Sequence, residues 1–123
     1  MPYGSFEDLE VWKEARLLKK EIIDLVKTFP PEEKFRLIDQ IKRSSRSVGT
    51  QIAEGHGRKT KPDELRFCVI ARGSLSETLN HFIDAFDEEY ITEEELNIYR
   101  IKIIKIEKLL TGYMAWLEKG IGG

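Results

Sequence analysis

One cysteine and two histidines are all that this sequence offers to redox and transition-metal chemistry. Cys68 has no partner for an internal disulfide, so nothing points to an oxidising compartment. Long apolar runs are missing too, since none approaches the ~20 residues that a bilayer crossing requires. The opening residues, Met1 to Ala15, carry no basic stretch leading into an apolar one. No secretory signal is therefore expected, no membrane partner either, and the cytoplasm is the expected compartment. Neither a period-two alternation of apolar and polar residues nor an internal repeat occurs, which argues against strands and solenoids.

What remains is a chain of helical character. Its 123 residues fit one domain, 1–123, and 41% hydrophobic with 34% charged residues suits one buried stripe per helix and a solvated exterior. Ser5 with Asp8 reads as a capping box opening a first helix, along which Val11, Ala15, Leu18, Ile22, Leu25 and Phe29 recur at three- and four-residue steps. Pro30-Pro31 stops it, and a second helix is expected from about Pro31 with Phe35, Leu37, Ile38, Ile41, Val48 and Ile52 on its buried side. Small residues between Ser44 and Thr50 would let a neighbouring helix come close, Gly49 would permit a bend, and Gly55 would end the helix as its C-cap.

Thr60 with Asp63 reads as the cap of a third helix, carrying Leu65, Cys68, Val69, Leu75, Leu79, Phe82, Ile83 and Phe86 to about Asp87. Thr92 with Glu95 caps a fourth, whose Leu96, Tyr99, Ile103, Ile106, Leu110, Tyr113 and Leu117 form a coiled-coil-like seam. A second apolar set on it, Ile98, Ile101, Ile104, Leu109 and Trp116, is wider than one seam needs. Either this helix is deeply buried or part of it faces another subunit. The pattern as a whole predicts an all-α, antiparallel up-and-down four-helix bundle.

Net charge is only −2, but charge is segregated. Between residues 42 and 72 stand Lys42, Arg43, Arg46, Arg58, Lys59, Lys61, Arg66 and Arg72, opposed only by Glu54, Asp63 and Glu64. From Gly73 to Glu95 there are only acidic charges. Lys42, Arg43 and Arg46 lie within one helical turn of one another. Gly57-Arg58-Lys59-Thr60 lacks the spacing of a nucleotide-hydrolysing phosphate loop, but free amides at a helix start with Arg58, Lys59 and Lys61 suit a phosphate. The plain alternative is a helix-joining loop with solvated charges.

Catalytic constellations are not found. Glu77 and His81, four apart, share a helix face, but no Glu-x-x-His pair occurs and the pair reads as a surface contact. Zincin spacing is missing as well. Cys68 on an apolar face reads as a small buried hydrophobe, and Ser44, Ser45 and Ser47 have no histidine near in sequence. No metal, cofactor or catalytic residue is expected.

Several ordered strings point further: Phe6-Glu7-Asp8-Leu9-Glu10-Val11-Trp12, Phe29-Pro30, Gln40-Ile41-Lys42-Arg43-Ser44, Ile52-Ala53-Glu54-Gly55-His56-Gly57-Arg58, and Ile70-Ala71-Arg72-Gly73-Ser74-Leu75-Ser76-Glu77. From Phe6 to about Trp116 the chain resembles the bacterial four-helix-bundle proteins first noticed as products of intervening sequences in large-subunit ribosomal RNA genes. The resemblance implies an up-and-down protomer assembled into a homopentameric ring. It also implies kinship to the accessory variability determinant of diversity-generating retroelements, a basic pentameric barrel that binds nucleic acid and a reverse transcriptase. Where many members carry proline this chain has Gly49, so a bend there is not forced.

Together these readings lead us to expect a non-enzymatic homo-oligomer, a pentamer, acting as an adaptor for RNA or DNA and for a protein partner. Lys42, Arg43, Arg46, Arg58, Lys59, Lys61 and Arg66 are its expected phosphate contacts. The competing expectation is an oligomeric scaffold that binds protein alone.

Overall fold

The computed structural model of the chain describes residues 4–122. Four helices make up most of it: α1 (Glu10–Leu25), α2 (Leu37–His56), α3 (Lys61–Asp87) and α4 (Glu93–Gly122). Single 3-10 turns occupy Phe6–Asp8, Val26–Thr28 and Pro31–Glu33, and no strand occurs among the described residues. Each helix packs on the next in sequence, and α4 closes on α1. The short joints at 57–60 and 88–92 hold neighbouring helices antiparallel. Among the described residues no helix is long and apolar enough to cross a membrane.

The expected stripes meet in one core. Val11, Ala15, Leu18 and Ile22 of α1 pack with Ile41, Val48 and Ile52 of α2, Cys68, Leu75 and Phe82 of α3, and Ile103, Ile106, Leu110 and Leu117 of α4. Thr92 caps α4 in full: its hydroxyl accepts from the Glu95 amide at 3.1 Å, and the Glu95 carboxylate accepts from the Thr92 amide at 2.9 Å. Thr60 accepts from the Asp63 amide at 3.3 Å, but Asp63 turns to Arg66 at 3.0 Å instead of completing the box.

Five local expectations are corrected. Ser5 does not open α1. It caps the turn Phe6–Asp8, accepting from the Glu7 amide at 3.1 Å, and Leu9 is extended before α1 begins at Glu10. That turn brings Phe6 edge-on to Trp12, ring centroids 5.1 Å apart at 74°, a contact a straight helix from Ser5 would not make. α1 ends at Leu25, short of the prolines, yet Val26 and Phe29 remain buried because the turn keeps them against the core. Likewise α2 begins only at Leu37. Arg36, at φ −121° and ψ −109°, breaks the register, and Phe35 is 84% exposed rather than buried. Val69, placed on the apolar face of the third helix, is also exposed.

The remaining correction concerns glycine. α2 runs unbroken through Gly49 and Gly55 to His56, and Gly57 is the C-cap. Gly55 is buried because α3 comes close: a Cβ there would stand 2.8 Å from Phe67 Cβ and 3.2 Å from the Glu64 carbonyl. The same close approach joins hydroxyls across the seam. Thr78 lies 2.9 Å from Ser44 Oγ, and Ser74 2.9 Å from Ser47 Oγ. Glu89 ends α3 in the left-handed region, φ 63°, while the Tyr90 amide donates to the Ala85 carbonyl at 2.9 Å.

On α4 the seam residues are buried or half-buried, while Ile98, Ile101, Ile104 and Trp116 are exposed, Ile101 to 68%. In the protomer, then, this helix is not deeply buried all round.

Candidate nucleic-acid interface

The expected phosphate contacts are distributed over three places rather than one. Arg58 pairs with Glu54 at 3.3 Å and lies 4.6 Å over the Phe67 ring. Arg66 pairs with Asp63 and lies 5.6 Å over the same ring. These two belong together at the α2–α3 end, with exposed Lys59 in the loop beside them. Lys61 turns the other way, over Trp116 of α4 at 5.0 Å. Arg43 reaches Asp39 at 3.6 Å. Among the described residues Lys42, Arg46, Lys59 and Lys61 have no carboxylate partner. The ion pairs that do form are exposed and contribute at most ~1 kcal/mol each, so Arg43, Arg58 and Arg66 can leave them for a phosphate at little cost.

The loop itself offers less than its sequence suggests. The Gly57 and Arg58 amides already donate to the last carbonyls of α2, at 3.0 to 3.2 Å, and Thr60 occupies the Asp63 amide. An anion there would meet the side-chain cations, with the Gly57, Arg58 and Asp63 amides already engaged.

Arg46 has company that a linear reading passes over. It lies in a cleft of about 270 Å³ between α1 and α2, with Arg16 and Lys19 from α1 and an aromatic wall of Phe6 and Trp12. Its floor is small: a Cβ on Gly49 would stand 3.4 Å from Trp12 Nε1, so the indole rests against the α2 backbone. On the other side of Trp12 a second cleft, of about 380 Å³, is lined by Lys13, Arg16 and Lys20, with Glu7 on its rim. Three of the four acids of α1 are paired away from these clefts. Glu14 pairs with Lys105 of α4 at 3.2 Å, Glu21 with Lys102, and Asp24 with Lys27 at 3.1 Å. Thus the side of α1 turned towards α2 is basic although the helix as a whole is mixed. The signal was present as Trp12, Arg16 and Lys19, spaced i, i+4 and i+7 beside the apolar stripe.

Other reactive side chains are engaged in packing. His81 is buried, not part of a surface contact: Nε2 lies 3.2 Å from Glu77 Oε2, and Nδ1 is buried without a partner. Among the described residues no three metal-binding side chains converge. Burial, and then the Glu64 carboxylate, push the Cys68 thiol up to about 11, so it stays protonated and unreactive at neutral pH. Tyr113 donates to Glu64 at 2.5 Å, and burial together with that bond holds its hydroxyl protonated well above the usual range. Ser44 and Ser45 donate back to the Ile41 and Lys42 carbonyls, at 3.3 and 3.1 Å.

These observations describe a four-helix protomer with a basic, aromatic cleft at the start of α1. Comparison with curated proteins gives no match. Among solved structures, a crystal structure from Bacteroides thetaiotaomicron, described as a protein of unknown function from the S23 ribosomal protein family, superposes with a TM-score of 0.77. It is 28% identical, and the match covers 85% of this chain and 97% of that one. A sequence model for the family described as 23S rRNA-intervening sequence protein matches residues 7–112. With the strings from Phe6 onward and the four-helix architecture in agreement, the chain belongs to the 23S rRNA-intervening sequence protein family.

Proposed function

We propose that this protein is a non-enzymatic, oligomeric cytoplasmic adaptor that binds nucleic-acid phosphates through cations of α1, α2 and the α2–α3 loop. One observation carries the reading. Arg46 meets Arg16 and Lys19 in a single cleft, and among the described residues none of the three has a carboxylate partner. Unneutralised cations gathered in a concavity raise the local potential for a polyanion. The relative's description as a member of the S23 ribosomal protein family makes RNA the first ligand to test. The exposed Ile98, Ile101 and Ile104 of α4 support self-association, and the family resemblance makes a pentameric ring the assembly to expect. A ring repeats the cations, so modest contacts per protomer sum through multivalency.

The test is a mobility-shift titration of RNA and duplex DNA over a salt series. Binding should be sequence-tolerant and weaken steeply with salt, because each neutralised phosphate releases counterions, about 0.7 to 0.9 in log–log slope per contact. Replacing Arg43, Arg46, Arg58 and Lys59 together by glutamine should lower affinity for all sequences alike and flatten that slope, with circular dichroism unchanged. Wild-type protein that binds neither RNA nor DNA at low salt leaves the second reading as the better account. That reading is a scaffold for protein partners alone, and the exposed isoleucine face of α4 favours it.

A further inference from the structure

Trp12 is placed where neither the core nor the phosphate reading requires an indole. Its inner edge packs on the core, but clefts open on both sides of it, and cations line both: Arg16 borders each, joined by Lys19 and Arg46 on one side and by Lys13 and Lys20, with the acid Glu7, on the other. The indole N–H, beside Gly49, has no acceptor among the described residues and is not sealed from solvent. The Arg16 guanidinium lies 5.8 Å above the ring, a loose cation–π contact on an exposed side chain. Thr50 adds a hydroxyl at the rim, and Ser45, Gly49 and Ala53 keep the floor shallow.

From this arrangement we infer that the cleft is a slot for one unpaired nucleotide of a single strand, an inference that rests on the nucleic-acid reading above and narrows it. Duplex phosphates need cations on a surface but have no use for an indole, because paired bases are stacked and their faces are covered. An unpaired base has a free face, and stacking on an aromatic ring is the sequence-tolerant way to hold it. At about 270 Å³ the cleft lies just below the usual range of small-ligand pockets, ~300–1,000 Å³, which suits one nucleotide and excludes a helix groove. The entering base takes the place of the Arg16 guanidinium over the indole. The displaced guanidinium, with Lys19 and Arg46, then reaches the flanking phosphates, while the indole N–H and the Thr50 hydroxyl offer polar contacts to the base edge or ribose. Cations on the far side of Trp12 continue the track for the next phosphate.

Tryptophan fluorescence of the full chain tests the slot. A short uridine oligomer or thymidine oligomer should quench emission on binding, and Trp12→Phe should abolish that part of the quench while Trp116 continues to report. Arg16→Gln with Lys19→Gln alters only exposed or half-buried side chains at the rim, and should weaken single-strand binding by roughly tenfold or more. The same oligomer should bind at least about tenfold more tightly than a duplex of equal length. Duplex binding as tight as single-strand binding, without quenching, overturns the slot but leaves phosphate binding intact. An unchanged quench in Trp12→Phe, or unchanged affinity in the double variant, also overturns it. Uridine monophosphate that quenches as fully as the oligomer at equal concentration overturns the strand assignment in favour of a free nucleotide. Absence of binding to any nucleic acid defeats the slot and the broader reading together.

Discussion

Along α1, the side turned towards α2 presents Arg16 and Lys19 beside Trp12; along α4, the side turned to solvent presents Ile98, Ile101 and Ile104. Both helices carry acids and bases in mixture, and both bury a regular apolar stripe. They differ in where the charges find partners. Glu14 and Glu21 of α1 are drawn to Lys105 and Lys102 of α4, which leaves the remaining cations of α1 uncompensated on the cleft side. On α4 the outer surface is apolar at its centre, with Lys105 and Lys108 at its edge. An apolar centre with a charged rim is the composition of a protein–protein contact. Cations around an aromatic ring on a shallow floor are the composition of a site for a flat anion. The chain thus keeps an exposed apolar face on α4 apart from a basic, aromatic cleft on α1, and the ion pairs between the two helices draw the acids of α1 away from that cleft.

Acidic residues on the apolar face of α4 should have the largest effect. Ile101→Glu with Ile104→Glu should reduce the mass by light scattering from an oligomer to one protomer, because both side chains are exposed in the protomer and their replacement leaves its core intact. Nucleic-acid affinity should fall as well through lost multivalency. Conversely, Arg16→Gln with Lys19→Gln should leave the mass unchanged. An oligomer that survives both isoleucine substitutions places the subunit contact elsewhere.

Two glycines sharpen the contrast at smaller energies. Gly49 supports the indole, so Gly49→Leu should displace Trp12, fill the cleft and cost about 1–3 kcal/mol in a urea titration. Gly112 lies on α4 with nothing within 4 Å of an added Cβ. Gly112→Ala should therefore stabilise by up to ~1 kcal/mol, the ordinary helix-propensity gain. Equal signs at the two positions would show that the cleft floor is not as tight as its geometry indicates.

Much of this architecture was readable from the residues. The caps at Thr60 and Thr92, the core stripes and the Leu96-to-Leu117 seam follow from local chemistry and a 3.6-residue period, and all three are present in the fold. What was not readable depends on partners distant in sequence. Gly55 resembles a terminator until Phe67 is placed against it, and Ser5 resembles a helix cap until Phe6 folds onto Trp12. Phe35 keeps the period of α2 on paper, but Arg36 interrupts it. The basic segment from Lys42 onward drew attention because its charges cluster along the chain. Arg16 and Lys19 did not, because Glu14 and Glu21 flank them in sequence while pairing across to α4 in space. Linear charge counts find clusters along a segment and miss those made by removing neighbours.

The ion pairs themselves are open to a finer test. Glu14 is mostly buried while Lys105 is over half exposed, and they meet at 3.2 Å. Glu14→Gln should cost under ~1 kcal/mol, since the pair has water on one side and a glutamine still packs and accepts a hydrogen bond. It also removes a negative charge from the helix that carries Arg16 and Lys19, so single-strand affinity should rise modestly at low salt. The gain should vanish near physiological salt, where charges beyond ~8 Å are largely screened. Lys105→Gln breaks the same pair but subtracts a positive charge from the protomer. It should match Glu14→Gln in its urea midpoint and differ from it in the direction of the low-salt affinity change. If the two variants shift affinity alike, the pair acts by positioning α1 rather than by directing charge. A loss above about 2 kcal/mol in either would show the same thing, and the separation of the basic cleft from the apolar face would then rest on packing.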